Sequence, residues 1–249
     1  MLRSVKQLRE YGMRATDGPI GRVDDLYFDD ETWAIRYLVV NTGTWLSGRK
    51  VMVSPLAIGV PDWLGERLPV SLTKAQIEQS PHIDTERPVS RQDEGAHAAY
   101  DGYPRDVGAG GLWGMGSYPG GLTTELRAEQ RMKDRQASPR GDAGRLRSCG
   151  DLTGYRVRAT DGEIGHLDDV LVDERAWVVR YLVVNTSNWW GGELVLVTPS
   201  LIVSASWDES EVAVNLTQEE VKEAPPVESA AQLEHESGHE AQEHYCRAG

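Results

Sequence analysis

Two clusters of acidic side chains are the residues of this chain whose types and spacing could do chemistry. They are Asp24, Asp25, Asp29, Asp30 and Glu31 in the first half, and Asp168, Asp169, Asp173 and Glu174 in the second. Clustered carboxylates can hold calcium or relay protons. Neither cluster has the alternating aspartates, the glycine and the distal glutamate of a calcium-binding loop. We therefore interpret most of these side chains as parts of polar turns.

Two arginines lie within the most apolar segments of the chain, Arg36 within residues 33–40 and Arg180 at the corresponding place in the second half. A buried arginine has to be paired, because an uncompensated buried charge costs several kcal/mol. The nearest carboxylates predict structural ion pairs, with Asp24 or Asp25 balancing Arg36 and with Asp168, Asp169 and Arg180 as the equivalent candidates. A ligand-binding role for the arginines is the alternative.

Tryptophans supply the candidate contact surfaces, since this residue type is enriched at interface hot spots. Trp45, Trp189 and Trp190 fall in predicted loops before Gly48 and Gly192, which favours contact with a partner. The pair Trp33 and Trp177 lies within predicted strands and is interpreted as core.

The C-terminal segment contains His235, His239, His244 and Cys246. His235 and His239 would share a helix face and could chelate a metal. The zinc-protease pattern fails, because His239 and His244 are five residues apart. A solvated acidic tail is the favoured interpretation. The chain also has no nucleophilic constellation and no glycine-rich loop between a strand and a helix. The sequence thus predicts a protein without catalytic activity, cofactor or metal.

The chemistry-bearing residues occur twice because the chain is a tandem duplication. Residues 36–42 recur unchanged as residues 180–186, and every position from 2 to 81 has its counterpart 144 residues later without a gap. Roughly four positions in ten are identical over this span, which identifies a repeated folding unit.

Each copy shows the pattern of a small all-β unit. A short turn or helix is followed by a hairpin at Asp17–Gly18, a dipeptide that readily adopts positive φ values. Residues 33–40 are apolar on both faces, which is typical of a strand covered on both sides, as in a small closed barrel. Thr73 and Gln76 match a capping box, as do Thr217 and Glu220 in the second copy, and each pair predicts a short closing helix.

The predicted organisation has five parts: a first barrel at 1–81, a trailing helix at 82–103, a flexible linker at 104–145, a second barrel at 146–226 and an acidic, histidine-containing tail at 227–249. The fold class is therefore mainly β, with two small antiparallel barrels in tandem, each closed by a short helix and joined by a glycine-rich linker. The two barrels either pack on each other or remain separate, and pairing between chains is also open.

Composition restricts the function classes. The formal net charge is −13, which argues against nucleic-acid binding because phosphate backbones require a basic surface. Apolar runs fall far short of the roughly 20 residues of a membrane-spanning helix. The first residues are not followed by the apolar region of a signal peptide. These observations predict a cytoplasmic protein, either free or peripheral to the inner membrane.

The repeated motifs resemble those of the PRC-barrel family. They are the Leu-Arg-Ser start, Asp17–Gly18, Ile20–Gly21, Asp24–Asp25, Asp29, the strand 36–40, Pro55 after a short strand, and Leu72–Thr73 before a short helix. The resemblance covers both copies. It implies a small, bent antiparallel barrel whose surfaces bind other proteins.

The leading hypothesis is a non-enzymatic adaptor that binds a protein partner, of unidentified kind, through barrel surfaces. The resemblance also implies two alternatives. One is a peripheral component of a membrane photosynthetic or electron-transfer complex, similar to the reaction-centre H subunit. The other is a ribosome-assembly factor similar to RimM.

Overall fold

The computed structural model describes residues 1–79, 146–186 and 192–224. The strands, numbered along the chain, are β1 (Leu2–Ser4), β2 (Gly12–Ala15), β3 (Gly18–Asp29), β4 (Ile35–Asn41), β5 (Lys50–Val53), β6 (Arg67–Pro69), β7 (Leu146–Ser148), β8 (Arg156–Arg158), β9 (Glu163–Asp173), β10 (Val178–Asn185), β11 (Leu194–Val197), β12 (Ile202–Ser206) and β13 (Glu211–Val214). The helices are α1 (Val5–Leu8), α2 (Lys74–Glu78), α3 (Cys149–Leu152) and α4 (Gln218–Glu223), with single 3₁₀ turns at Pro55–Ala57 and Pro199–Leu201. The predicted trailing helix, linker and tail lie outside the described residues.

Local sequence signals account for most of these elements. The Asp17–Gly18 turn joins β2 and β3, and Gly18 has a φ of 146°. At the start of α2, the Thr73 hydroxyl accepts a hydrogen bond from the Gln76 amide, and the Gln76 side chain accepts one from the Thr73 amide. Thr217 forms the same reciprocal cap at α4. The predicted hairpin and both capping boxes are confirmed.

The chain forms two sheets, one centred on each copy. The first has the strand order β5-β4-β3-β2-β6, and the second has β11-β10-β9-β8-β13-β12. Most neighbours are antiparallel, but β2 pairs with β6 and β8 with β13 in parallel. The prediction of antiparallel barrels is therefore wrong for these two pairs, in which a late strand of each copy lies beside an early one. Within the described ranges neither sheet closes into a barrel, because the first and last strands of each order are not paired with each other.

One strand distinguishes the two copies. β12 pairs with β13 over several residues, whereas the corresponding part of the first copy makes only the isolated bridges of Ile58 with Val70 and Asp62 with Arg67. Gly59 and Pro61 lie in that first-copy segment, where the second copy has Val203 and Ala205. Proline cannot donate to a strand ladder and glycine weakens a strand, so the sequence accounts for the difference.

The two copies exchange their N-terminal strands. β1 pairs with β9 of the second copy, with Arg3 opposite Val172, and β7 pairs with β3 of the first copy, with Arg147 opposite Phe28. The segments that cross over are thus equivalent, and each sheet is extended by a strand from the other copy. Packing of the two copies on each other, which the sequence left open, is therefore how this chain is arranged.

A single hydrophobic core spans both copies. It includes Phe28 and Leu38 of the first and Val172 and Leu182 of the second, all essentially inaccessible to solvent. A second buried cluster lies on the other face of the first sheet, where Val39 and Met52 meet Leu146 from the exchanged strand. Since neighbouring residues of β4 are buried on both faces, the prediction of a strand covered on both sides is confirmed.

Trp33 and Trp177 do not lie inside strands as predicted. Each occupies a turn just before its strand, with φ values of 59° and 49°. This left-handed conformation is uncommon for a bulky residue. The carbonyl of Trp177 accepts a hydrogen bond from the Ile35 amide (2.7 Å), and that of Trp33 accepts one from the Val179 amide (2.8 Å). The two turns are therefore part of the junction between the copies. Their side chains belong to the core as predicted, with Trp177 buried and Trp33 packed against it.

Among the described residues, no helix has the length and apolar character needed to cross a membrane.

Candidate protein-binding groove and the contacts that build it

Two serine–aspartate contacts, one buried and one partly buried, join the exchanged strands to the opposite copy. The Ser4 hydroxyl donates to the Asp169 carboxylate, and the Ser148 hydroxyl donates to Asp25. Backbone amides add further donors, from Lys6 to Asp169 (3.2 Å) and from Gly150 to Asp25 (2.9 Å). Each serine also caps the short helix that follows it. These contacts thus fix both the strand and the first turn after it.

Burial sets the protonation behaviour of these two aspartates. Desolvation raises the pKa of Asp25 and of Asp169 above their ordinary value, although hydrogen bonds from the serines and backbone amides oppose the rise. The positive charge of Arg9 also lowers the pKa of Asp25, and that of Lys6 lowers the pKa of Asp169. The net effect is that each carboxylate is ionised less readily in the folded protein than in the unfolded chain.

The predicted ion pairs involve different carboxylates from those expected. Arg36 is half-buried rather than buried and lies 3.8 Å from Asp29, not from Asp24 or Asp25. Asp29 can reach Arg36 because the end of β3 that contains Asp29 lies beside the start of β4. Asp24 and Asp25 lie nearer the middle of β3, beside a later part of β4.

The second copy repeats this difference, with Arg180 lying 3.4 Å from Asp173 rather than from Asp168 or Asp169. The aspartates named in the prediction have other contacts. Asp24 pairs with Lys50 at 2.9 Å, and Asp168 pairs with Lys6 at 2.8 Å.

The raised pKa of Asp169 predicts a measurable pH dependence of stability. Between its unfolded pKa, near the ordinary 3.8, and its higher folded pKa, the folded state binds more protons, so this residue's contribution to the free energy of unfolding falls as pH rises. Asp169→Asn removes the titration. We expect the free energy of unfolding of the wild type, minus that of Asp169→Asn, to decrease as pH rises through this window, as measured by urea denaturation.

Asp168→Asn is the matched control for that measurement, because Asp168 is partly exposed and pairs with Lys6 at the surface. Exposed pairs contribute about 0–1 kcal/mol. A difference that rises with pH for Asp169→Asn would contradict the prediction, since it would show a lowered rather than a raised pKa.

A surface groove lies where the exchanged strand β1 meets the rest of the first copy. It has a volume of about 480 Å³, and its lining includes Arg3, Glu10, Tyr11, Trp63, Leu64 and Glu66. The Arg3 guanidinium lies over the Trp63 ring at 4.1 Å, and the Tyr11 ring packs at a tilt 6.0 Å from it. The base of the groove is therefore formed by Arg3, Tyr11 and Trp63, and both other side chains pack against the Trp63 ring.

The buried polar groups of the groove are engaged in the fold. The Arg3 side chain donates to Glu174 of the second copy at 2.8 Å, and the Tyr11 hydroxyl donates to the Trp63 carbonyl at 3.4 Å. Leu64, by contrast, is fully exposed at the tip of a tight turn in which Asp62 accepts a hydrogen bond from the Gly65 amide. The groove consequently offers apolar and aromatic surface beside a solvent-facing leucine.

The second copy repeats the base of this groove. Arg147 lies over Trp207 at 4.6 Å, and Tyr155 packs 6.1 Å from the same ring and donates to the Trp207 carbonyl. At the tip, however, Asp208 replaces Leu64. The base is thus common to both copies, while the exposed apolar side chain belongs to the first alone.

Of the three tryptophans predicted to contact a partner, the structure describes Trp45. Trp45 is half-buried and packs against the core, with the Lys74 ammonium 5.2 Å from its ring centre. Trp189 and Trp190 lie outside the described residues, as do the four histidine and cysteine positions of the tail. The sequence reasoning overlooked Leu64. The signal that could have found it is the leucine-to-aspartate difference between the copies, next to a shared tryptophan.

The described residues contain no group of three or more histidine, cysteine, aspartate or glutamate side chains that could hold a metal. Cys149 is buried. Desolvation, with the charges of Asp25 and Asp169, raises the pKa of its thiol well above the ordinary value. The reactive thiolate is therefore disfavoured, and Cys149 serves as a small core residue.

Comparison with known proteins bears on this arrangement. A family model described as the PRC-barrel domain matches residues 146–213, from the exchanged strand β7 to β13. A search of curated proteins found no match to the chain. The resemblance to this family that the sequence motifs suggested is thus confirmed for residues 146–213, in the second copy.

Proposed function

We propose that this chain is a non-enzymatic adaptor, formed by two PRC-barrel units, that binds a protein partner through the groove at Leu64. The first copy shares the strand order of the second apart from β12, and the repeated motifs support the same fold for it. A PRC-barrel domain suggests a protein-interaction module.

The exposed apolar tip of the groove is the observation that carries the proposal. Leu64 is fully exposed beside half-buried Trp63 and buried Tyr11, and it does not belong to the hydrophobic core. Trp, Tyr and Arg are the residue types enriched at interface hot spots, especially where they line a well-packed pocket. Here all three meet in one groove, and the leucine stands at its rim.

Site-specific crosslinking in cells tests the proposal. A photo-reactive amino acid is placed at Leu64 and, in a separate variant, at Asp208, which holds the same place on the second copy. We expect a discrete crosslinked protein from position 64 and much less from position 208, because Asp208 replaces the exposed leucine at the tip of the turn. Equal labelling at both positions, or none at position 64, would refute a partner site at this groove.

The identity of the captured protein separates the family-based alternatives. Capture of a membrane photosynthetic or electron-transfer subunit would favour the role similar to the reaction-centre H subunit. Capture of a ribosomal protein would favour the role similar to RimM. Any other single partner would favour a distinct adaptor role.

A further inference from the structure

We propose that two molecules of this chain associate by exchanging halves, so that the first copy of each chain pairs with the second copy of the other. The interaction surface is the junction between the copies, and the partner is a second molecule of the same chain. This inference goes beyond the proposed function, because it concerns the junction and not the exposed tip at Leu64. It is supported by the repetition of the junction contacts, by the connection between the copies and by a residue pair that spans the junction beside the groove.

The main polar contacts across the junction occur twice, once in each direction. A strand serine is bonded to an aspartate, a strand arginine is paired with a carboxylate, and a tryptophan carbonyl accepts a hydrogen bond from a backbone amide. The equivalent pairs are Ser4–Asp169 and Ser148–Asp25, Arg3–Glu174 and Arg147–Asp30, and Trp177–Ile35 and Trp33–Val179. A surface whose contacts repeat in this way is self-complementary, like the interface of a two-fold symmetric dimer.

These contacts cannot distinguish a chain's own half from the half of another chain. In a dimer with exchanged halves, both junctions retain all of these pairs, because each junction still joins one first copy to one second copy. The free-energy difference between monomer and dimer therefore arises mainly from residues 80–145, which connect the copies. The local concentration that a linker provides falls as the linker lengthens beyond the span that it bridges, so exchange competes as the protein concentration rises.

The groove at Leu64 is supported from across the same junction. Arg3 lies over Trp63 at the base of the groove, and its guanidinium is paired with Glu174 of the other copy at 2.8 Å. The N-terminal ammonium of Met1 lies 3.6 Å from the same carboxylate. In the dimer, this carboxylate belongs to the second chain. The dimer therefore presents two grooves, and each is supported by the other molecule.

Complementary charge reversal at one junction pair tests the proposal with full-length chains. One variant has Arg147→Glu and the other has Asp30→Arg, so that like charges meet within each chain. When the two variants exchange halves, one junction is of the wild-type kind, and the other brings the two substituted side chains together with opposite charges. Loss of the Arg147 contact with Trp207 affects monomer and dimer equally, because both residues belong to the same copy.

We expect the two variants, refolded together from urea, to give about tenfold more dimer in sedimentation velocity than either variant alone at the same concentration. The reason is that like charges in contact across an interface cost several kcal/mol. A single chain with both substitutions is the matched control, and its dimer fraction should equal that of the wild type. The wild-type dimer fraction should itself rise with the concentration at which the protein is refolded. If either variant fails to fold alone, recovery of a folded dimer only on mixing is the same result.

Two results would overturn the proposal. One is a mixture of the variants that contains no more dimer than either variant alone. The other is a pair of differently tagged wild-type chains that do not copurify after refolding together at high concentration. Leu64→Asp should leave the dimer unchanged, and its loss in that variant would replace exchange with association through the groove tips. Crosslinking from position 64 tests the partner site separately, so a failure of exchange leaves the proposed function intact.

Discussion

Replacing Gly21 with alanine is expected to destabilise the protein by about 3–5 kcal/mol, because the backbone leaves no room for a Cβ atom. Gly21 has a φ of 149°, and an added Cβ would overlap the Asn41 carbonyl oxygen and lie 2.9 Å from its carbonyl carbon. Backbone atoms at the end of β4 cannot rotate away as a side chain could. Gly165, with a φ of 137°, meets Asn185 and Thr186 in the same way.

The measurement is thermal and urea unfolding of Gly21→Ala, with a fall in the midpoint temperature of about 10 °C expected for a chain of this size. Gly43→Ala is the matched control. Gly43 also has a positive φ, 54°, but nothing lies within 4 Å of its added Cβ. Its cost should be limited to about 1–2 kcal/mol of backbone strain. Equal effects of the two substitutions would show that conformation alone, and not close approach of β4, accounts for the loss.

The elements that could be predicted are those specified by a few neighbouring residues. The hairpin at Asp17–Gly18 and the capping boxes at Thr73 and Thr217 depend on short-range hydrogen bonds and backbone preferences. The apolar pattern of residues 33–40 also made the burial of residues 38–40 on both faces predictable. Such features need no knowledge of which distant segments come together.

The exchange of N-terminal strands could not be predicted, because the two copies are too similar in sequence at the residues that make the exchange. β1 and β7 have the identical sequence Leu-Arg-Ser, and both aspartates that receive their serines are also repeated. Either strand therefore fits either copy by local chemistry. Tertiary packing determines which copy each strand joins. The partners of Arg36 and Arg180 could not be predicted either, because they depend on how β3 is aligned with β4 and β9 with β10.

The groove was hidden from sequence reasoning because its parts come from distant positions. Arg3 belongs to an exchanged strand, Tyr11 precedes β2, and Leu64 lies in a turn before β6. An exposed leucine is unremarkable in sequence, since much of a folded protein's surface is apolar. It gains significance only when the fold places it beside Trp63 and when the aspartate in the second copy shows that the turn does not require it.

The two halves of the chain are expected to remain associated after the connecting segment is cut. A protease recognition sequence is introduced between residues 104 and 145, and the cleaved protein is analysed by size-exclusion chromatography in native buffer. We expect both fragments to elute together, because each sheet carries a strand of the other half and one core is shared. Interfaces that resemble a divided core are typical of obligate assemblies.

Removing residues 1–4 from the cleaved protein provides a graded comparison. This deletion eliminates β1, the Ser4–Asp169 contact and the Arg3–Glu174 pair, while the equivalent contacts of β7 with the first copy remain. Cutting the chain also makes association bimolecular, so that it depends on concentration. We expect the deleted form to separate at concentrations where the cleaved full-length form does not. Two folded fragments that part in native buffer without the deletion would show that the exchanged strands do not hold the copies together.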